Sequence, residues 1–191
     1  MGKLIVTEFT SLDGVMEDPG GAEDFEHGGW SMQFNDDEGM KFKFEETMSA
    51  EVLLLGRVTY EGFARAWPTM RDGAGFAEKM NGMKKYVVSS TLTDPSWTNS
   101  EVLAGDDVAA AVAALKRRVP GEILIAGSQR LIPTLAAAGL IDEYRLMTYP
   151  IVLGSGKRVF EGLEQPLPVK LTSSKTLPTG TQILIYEPVR D

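Results

Sequence analysis

Short apolar runs that end in glycine and pass directly into a helical pattern limit most strongly how this chain can fold. Two junctions, "VLLLGRVTYEGF" and "ILIAGSQRLIPTL", share the order strand, glycine, helix. An apolar run without alternation marks a strand covered on both faces, which is the situation in a parallel sheet. At the carboxyl end of such a strand, the next helix presents unpaired N–H groups and the positive end of its dipole. An anion binds there readily.

The rest of the chain supports that frame. Residues 3–10, "KLIVTEFT", read as a first strand, and the Gly-, Pro- and acid-rich stretch after it reads as a long loop. A helix is expected from Asn35, with Glu38 as its box partner and Met40, Phe44 and Met48 as a buried stripe. "EVLLL" is a strand, and Tyr60, Phe63, Ala64 and Trp67 form a helix face that Pro68 stops. "KKYVVSS" and "EILIAG" are strands on either side of the helix "DDVAAAVAALKRRVPG", which opens on acids and closes on bases. Ser128 is placed to cap the next helix, with Pro133 in its second turn. "DEYRLMTYPIVLG" reads as one long strand, and "VKLTSSKTL" and "TQILIYEPV" as a closing antiparallel hairpin. The expectation is one α/β domain over 1–191, with a mostly parallel sheet and an antiparallel edge.

Composition narrows the function. A formal net charge of -8 argues against a nucleic-acid partner held on a basic surface. With no cysteine and the single histidine His27, neither a disulfide framework nor a His/Cys metal site is expected. No run reaches the roughly 20 apolar residues of a membrane span, and no signal peptide opens the chain, so a cytoplasmic protein is expected. "GSGKR" is not a phosphate loop, because Ile151 and Arg158 stand where that pattern needs glycine and a hydroxyl residue.

Arg57 and Thr59 follow the first glycine and offer a cation and a hydroxyl to a phosphate. The third strand ends in Ser89, Ser90 and Thr91 with no acid, which favours a ribose 2'-phosphate and hence NADPH over NADH. The same three residues would serve equally to begin a turn. Asp13 in "SLDG" is a candidate for work on a substrate, although Asp-Gly is also a turn signal. His27 reads as an exposed loop residue, and Lys41 and Lys43 as solvated helix charges. Phe25, Trp30 and Phe34 could stack on a flat heterocycle or close the loop onto the core.

"TSLDG", "GRVTYEGF", "VVSS", "IAGSQRLI" and "DEYRLMTYPIVLGSGKRVF" together resemble the dihydrofolate reductase-like superfamily. The nearest branch is the reductase domain of the bifunctional riboflavin-biosynthesis deaminase-reductase. The resemblance covers essentially the whole chain and implies a three-layer α/β fold, an NADPH-dependent reductase and a homodimer. It places Gly56, Arg57 and Thr59 on phosphates, Ser89 and Ser90 near the 2'-phosphate, and Gly127, Ser128 and Gln129 along the pyrophosphate. Phe9 would flank the nicotinamide with its backbone, Asp13 would face the substrate, and Leu153 and Gly154 would lie at the closed end of the pocket. Trp30 matches a tryptophan that precedes the first helix in dihydrofolate reductases, and Phe34 follows it. The acids Asp36, Asp37 and Glu38 serve equally well as helix N-terminal charges. With no zinc-binding Cys/His set there is no deaminase half, so a stand-alone reductase of a pterin- or pyrimidine-type heterocycle, or its sugar adduct, is expected. Two other readings stay open: a non-catalytic nucleotide- or heterocycle-binding protein on the same fold, and a dihydrofolate reductase proper.

Overall fold

The computed structural model describes residues 1–190. Its strands are β1 (Lys3–Ser11), β2 (Ala50–Gly56), β3 (Lys84–Val88), β4 (Ser100–Leu103), β5 (Glu122–Ala126), β6 (Glu143–Tyr149), β7 (Val169–Thr176) and β8 (Gln182–Pro188). They form one sheet in the order β4-β3-β2-β5-β1-β6-β8-β7. β1 to β6 are mutually parallel, while β8 runs antiparallel to β6 and β7 antiparallel to β8. The expected α/β architecture with its antiparallel C-terminal hairpin is therefore present.

Helices cover both faces, because successive strand residues point to opposite sides. On one side, Leu4 and Val6 of β1 pack with Val112 and Leu115 of α4 (Val108–Arg118) and with Leu131 and Ile132 of α5 (Leu131–Ala137). On the other, Ile5 joins Leu53, Leu55, Tyr60 of α2 (Arg57–Ala66) and Met80 of α3 (Phe76–Gly82). None of the described helices is long and apolar enough to cross a membrane.

The first helix departs from the expected pattern. α1 (Asp37–Ser49) is capped by Asp36, whose carboxylate accepts the Gly39 N–H at 2.8 Å, and not by Asn35. Met40 and Met48 are exposed, whereas Gly39, Glu46 and Thr47 are buried. The reason is electrostatic: α1 turns a polar seam inward. Glu46 Oε2 accepts from Thr7 Oγ1 at 2.8 Å and from Lys43 Nζ at 2.5 Å. Arg145 reaches Glu46 at 3.6 Å, Glu122 at 2.8 Å and Glu143 at 2.5 Å. Lys43 is thus a half-buried partner of Glu46 and not a solvated charge.

Three further differences have local causes. α5 starts at Leu131 with Arg130 at its N-cap, so Pro133 lies in the first turn, where a missing N–H costs no hydrogen bond. β6 stops at Tyr149, because Pro150 follows and the chain folds back over residues 151–154. α3 and β4 carry no clear periodicity and rely on contacts from elsewhere. Asp72 accepts N–H bonds from Gly75, Phe76 and Ala77 to start α3. The fully buried Lys85 ammonium lies 4.1 Å from the Trp97 ring centroid and donates to the Asn81 and Thr98 carbonyls, tying α3 to the segment before β4.

Replacing Arg145 by Met would leave buried Glu46 with Lys43 alone and buried Glu143 with Lys3 alone, and would remove the guanidinium that joins them. Breaking a buried ion pair from one side costs about 3–5 kcal/mol. Urea denaturation is expected to show a loss of that order for Arg145→Met, with the slope unchanged.

Candidate active site

The two glycine junctions lie side by side, because β2 and β5 are neighbours in the sheet. Gly127 and Ser128 both take left-handed backbone conformations, with φ of 63° and 60°. The turn they make is held by α2: the Ser128 N–H donates to Thr59 Oγ1 at 2.9 Å, and the Gly56 N–H donates to Ser128 Oγ at 2.8 Å. A Cβ on Gly127 would lie 2.8 Å from the Thr59 methyl carbon. Glycine is required at 127 by the close approach of Thr59 as well as by its φ. Ser128, expected to cap α5, instead joins the two strand ends.

Gly56 is the N-cap of α2 and has no side chain to satisfy its first-turn N–H groups. Those donors belong to Arg57, Val58 and Thr59, at the positive end of the helix. Arg57 is exposed and forms an ion pair with Glu61 at 2.9 Å. Beyond β3, Ser89 Oγ accepts the N–H groups of Thr91 and Leu92, so this hydroxyl shapes a turn, and Ser90 is exposed beside it. Gln129 donates to the Glu161 carbonyl at 3.2 Å.

Just after β1, Asp13 meets Leu153 and Gly154. Its carboxylate accepts from Ser11 Oγ at 2.7 Å and from the Leu153 and Gly154 N–H groups at 3.1 and 2.9 Å. The Ser11 hydroxyl and these two amides outweigh burial and hold the Asp13 carboxyl down to about 2. Arg158 closes the clamp by donating from Nε to the Asp13 carbonyl. At neutral pH Asp13 is an anion and an acceptor, not an acid. Its visible role is to bind the 151–158 segment to the first strand.

Tyr149, which the sequence reading did not single out, is the centre of the aromatic cluster. Phe9 and Trp30 meet its ring edge-on with centroids at 5.5 Å, and Phe34 lies at 5.8 Å. Trp30 is buried and donates its indole N–H to the Glu17 carbonyl, which closes the long loop onto β6. Phe9 remains half-buried, with Lys43 Nζ 5.3 Å from its ring centroid.

Glu8 was also missed. It is buried, Oε1 has no hydrogen-bond partner, and burial lifts its carboxyl well above the usual range against a hydrogen bond from the Gly127 backbone. The signal was available in "KLIVTEFT", where an acid interrupts an apolar strand.

The family model described as the RibD C-terminal domain matches residues 2–183. The chain belongs to this family. The uncharacterized protein YyaP of Bacillus subtilis (strain 168) is 27% identical over 187 residues, covering 96% of this chain and 94% of that protein. A putative riboflavin biosynthesis protein from Shewanella sp. PV-4 superposes with a TM-score of 0.77 at 23% identity, over 98% of this chain and 99% of that one. Dihydrofolate reductase from Enterococcus faecalis, solved as a complex with NADP(H), shares the fold at a TM-score of 0.63 and 14% identity, over 97% and 96% of the two chains. In this RibD C-terminal fold, the adjoining carboxyl ends of β2 and β5 are joined through Gly56, Ser128 and Thr59, with Gly127 at the turn.

Asp13 makes a pH-dependent contribution to stability. Its folded-state value lies below the ordinary carboxylate value of about 3.9, so the stabilisation is present above that pH and lost as pH falls toward 2. Asp13→Asn is therefore expected to lower Tm at neutral pH, with the gap to the unmodified protein closing between about pH 4 and pH 2 in thermal scans.

Proposed function

We propose that the protein is an NADPH-dependent reductase acting on a C=N or C=O group of a pterin- or pyrimidine-type heterocycle or its sugar adduct. The observation that carries this reading is the pair of joined strand ends. Gly56 and the left-handed Gly127–Ser128 turn stand together beside the open N-terminus of α2. Such a crevice at the carboxyl ends of parallel strands is where an α/β sheet takes a dinucleotide. Membership of the RibD C-terminal family supports the reaction class.

The residues fit NADPH. The uncapped α2 N-terminus and Arg57 suit phosphate, and Arg57 with Ser89 and Ser90 offers a cation and hydroxyls, without a carboxylate, to a ribose 2'-phosphate. Thr59 and Ser128 act as braces, fixing the turn before a ligand arrives. Reduced NADP would supply the hydride. The chain would supply orientation and exclusion of water: Phe9 and the Tyr149 cluster give an apolar wall, and Asp13 holds Leu153 and Gly154 at its side. A homodimer is the assembly we propose. β7 is exposed along its whole length, and its outer edge pairs with no described strand.

Titration with NADPH is expected to quench tryptophan fluorescence to saturation, and a panel of pterins and aminopyrimidines to yield at least one that drives loss of reduced-nicotinamide absorbance. Arg57→Ala is expected to weaken NADPH binding about tenfold and NADH binding little, as the loss of one charge-assisted phosphate contact requires. Unchanged fluorescence up to millimolar NADPH would remove the proposal.

A further inference from the structure

Hydride arriving at the carbon of a C=N or C=O bond moves that bond's electron pair onto the nitrogen or oxygen, which must then take up a proton. The groups around the aromatic wall are poor sources of it. Asp13 is an anion at neutral pH, and Arg158 is bound to the Asp13 and Gly154 carbonyls. The Asp36 carboxylate accepts from the Gly39 N–H and the Thr179 hydroxyl. Burial, and then the Asp36 carboxylate, raise the Tyr149 phenol and make it a weaker acid. His27 lies out on the long loop, paired with Glu26 at 3.3 Å.

Lys43 is placed differently. Its Nζ lies 5.3 Å from the centroid of the Phe9 ring. Thr7 and Phe9 stand on the same face of the sheet as Ile5, which is the face packed by α2. The ammonium therefore borders the side of the sheet on which the open α2 N-terminus lies. Two acceptors hold it, Thr7 Oγ1 and Glu46 Oε2, each at 2.5 Å. The Thr7 hydroxyl gives its single proton to Glu46, so toward Lys43 it accepts. An ammonium carries three N–H groups, and the third has no partner among the described residues. The Lys43 side chain is 18% exposed, whereas Glu46 is sealed. Phe9 beside it is half-buried, and Met40, nearly one turn closer to the start of α1, is exposed. The outer end of this ion-pair seat is thus open at the surface next to Phe9.

We propose that Lys43 is a catalytic residue, whose ammonium bonds the oxygen or nitrogen of the bond being reduced and gives it a proton as hydride reaches the carbon. This rests on the reductase reading given above. The C=O or C=N π bond and one Lys43 N–H bond break, and a C–H and an O–H or N–H bond form. The two electrons come with the hydride, and solvent returns a proton to the Lys43 amine. Glu46 favours that return, because a neighbouring carboxylate stabilises the charged amine. The charges facing Lys43 are Glu46 on its own helix and, behind Glu46, Arg145 with Glu122 and Glu143. β1 presents Thr7 and Phe9, which do not titrate.

The test compares Lys43→Met, Lys43→Arg, His27→Gln and the unmodified protein, using the pterin or aminopyrimidine that the unmodified protein turns over. Lys43→Met is expected to lower kcat about 100-fold and to weaken binding of that compound, titrated without cofactor, about tenfold. NADPH affinity should stay within about twofold, since the lysine serves the substrate. Lys43→Arg keeps a charged donor that holds its proton, so binding should stay within about threefold while kcat remains at least about tenfold down. The kcat of the unmodified protein should fall as pH rises and the ammonium is lost, and the residual rate of Lys43→Met should not follow that limb. His27→Gln should leave kcat unchanged. An unchanged kcat in Lys43→Met or Lys43→Arg, a tenfold loss of NADPH affinity, or a 100-fold fall in His27→Gln would each overturn the assignment. A lower Tm in Lys43→Met with rate and binding intact would leave Lys43 a strut of the α1 seat and also overturn it. If no compound of the panel is turned over by the unmodified protein, the reductase reading itself fails. If one is turned over and Lys43→Met matches the unmodified rate, only the role of Lys43 falls.

Discussion

The close approach of α2 to the end of β5 is the contact on which the candidate site depends. It requires a residue without a side chain at 127, because Thr59 occupies the space a Cβ would take. Given that approach, Thr59 Oγ1 accepts the Ser128 N–H and Ser128 Oγ accepts the Gly56 N–H. Two strand ends with separate loops become one surface. The crevice is shaped by side-chain hydrogen bonds within the protein, so little reorganisation is left to a ligand. That is the condition under which binding energy goes into orientation.

One strand and its turn carry two carboxyls with opposite fates. Asp13, at the end of β1, meets a hydroxyl and two amides and stays ionised far below the usual range. Glu8, five residues earlier, is buried with one free oxygen, and burial raises its carboxyl well above the usual range. The difference follows from the supply of donors. Divergent environments for paired acids are the usual way a fold assigns them different work. Here the ionised acid holds a loop, and the buried one lies beneath the Gly127 turn.

The other buried charges belong to the scaffold. Glu46, Lys43 and Arg145 seat α1 on the sheet through ion pairs where an apolar stripe would have served. Such a seat is directional, and it fixes the rotation of α1 and thereby places Lys43 over Phe9. The stability of the helix and the shape of the aromatic wall are coupled through these residues.

The succession of unalternating apolar strands and helices, with a closing hairpin, was legible in the sequence because periodicity and caps act within a few residues. For the same reason Gly56 and Gly127 stood out, whereas the bonds from Leu153 and Gly154 to Asp13 came only with the structure. Rotation of α1 was not legible: Met40, Phe44 and Met48 have the right spacing, but charges on β5 and β6 draw the opposite face inward. α3, β4 and the end of β6 were likewise set by partners far along the chain or by a fold-back after Pro150. The sequence by itself determined the order of elements, since that is written in local patterns of polarity. Only the tertiary structure decided which oxygens find donors. That depends on neighbours across the sheet, and it is why Ser128 became a brace and one Glu8 oxygen was left without a partner.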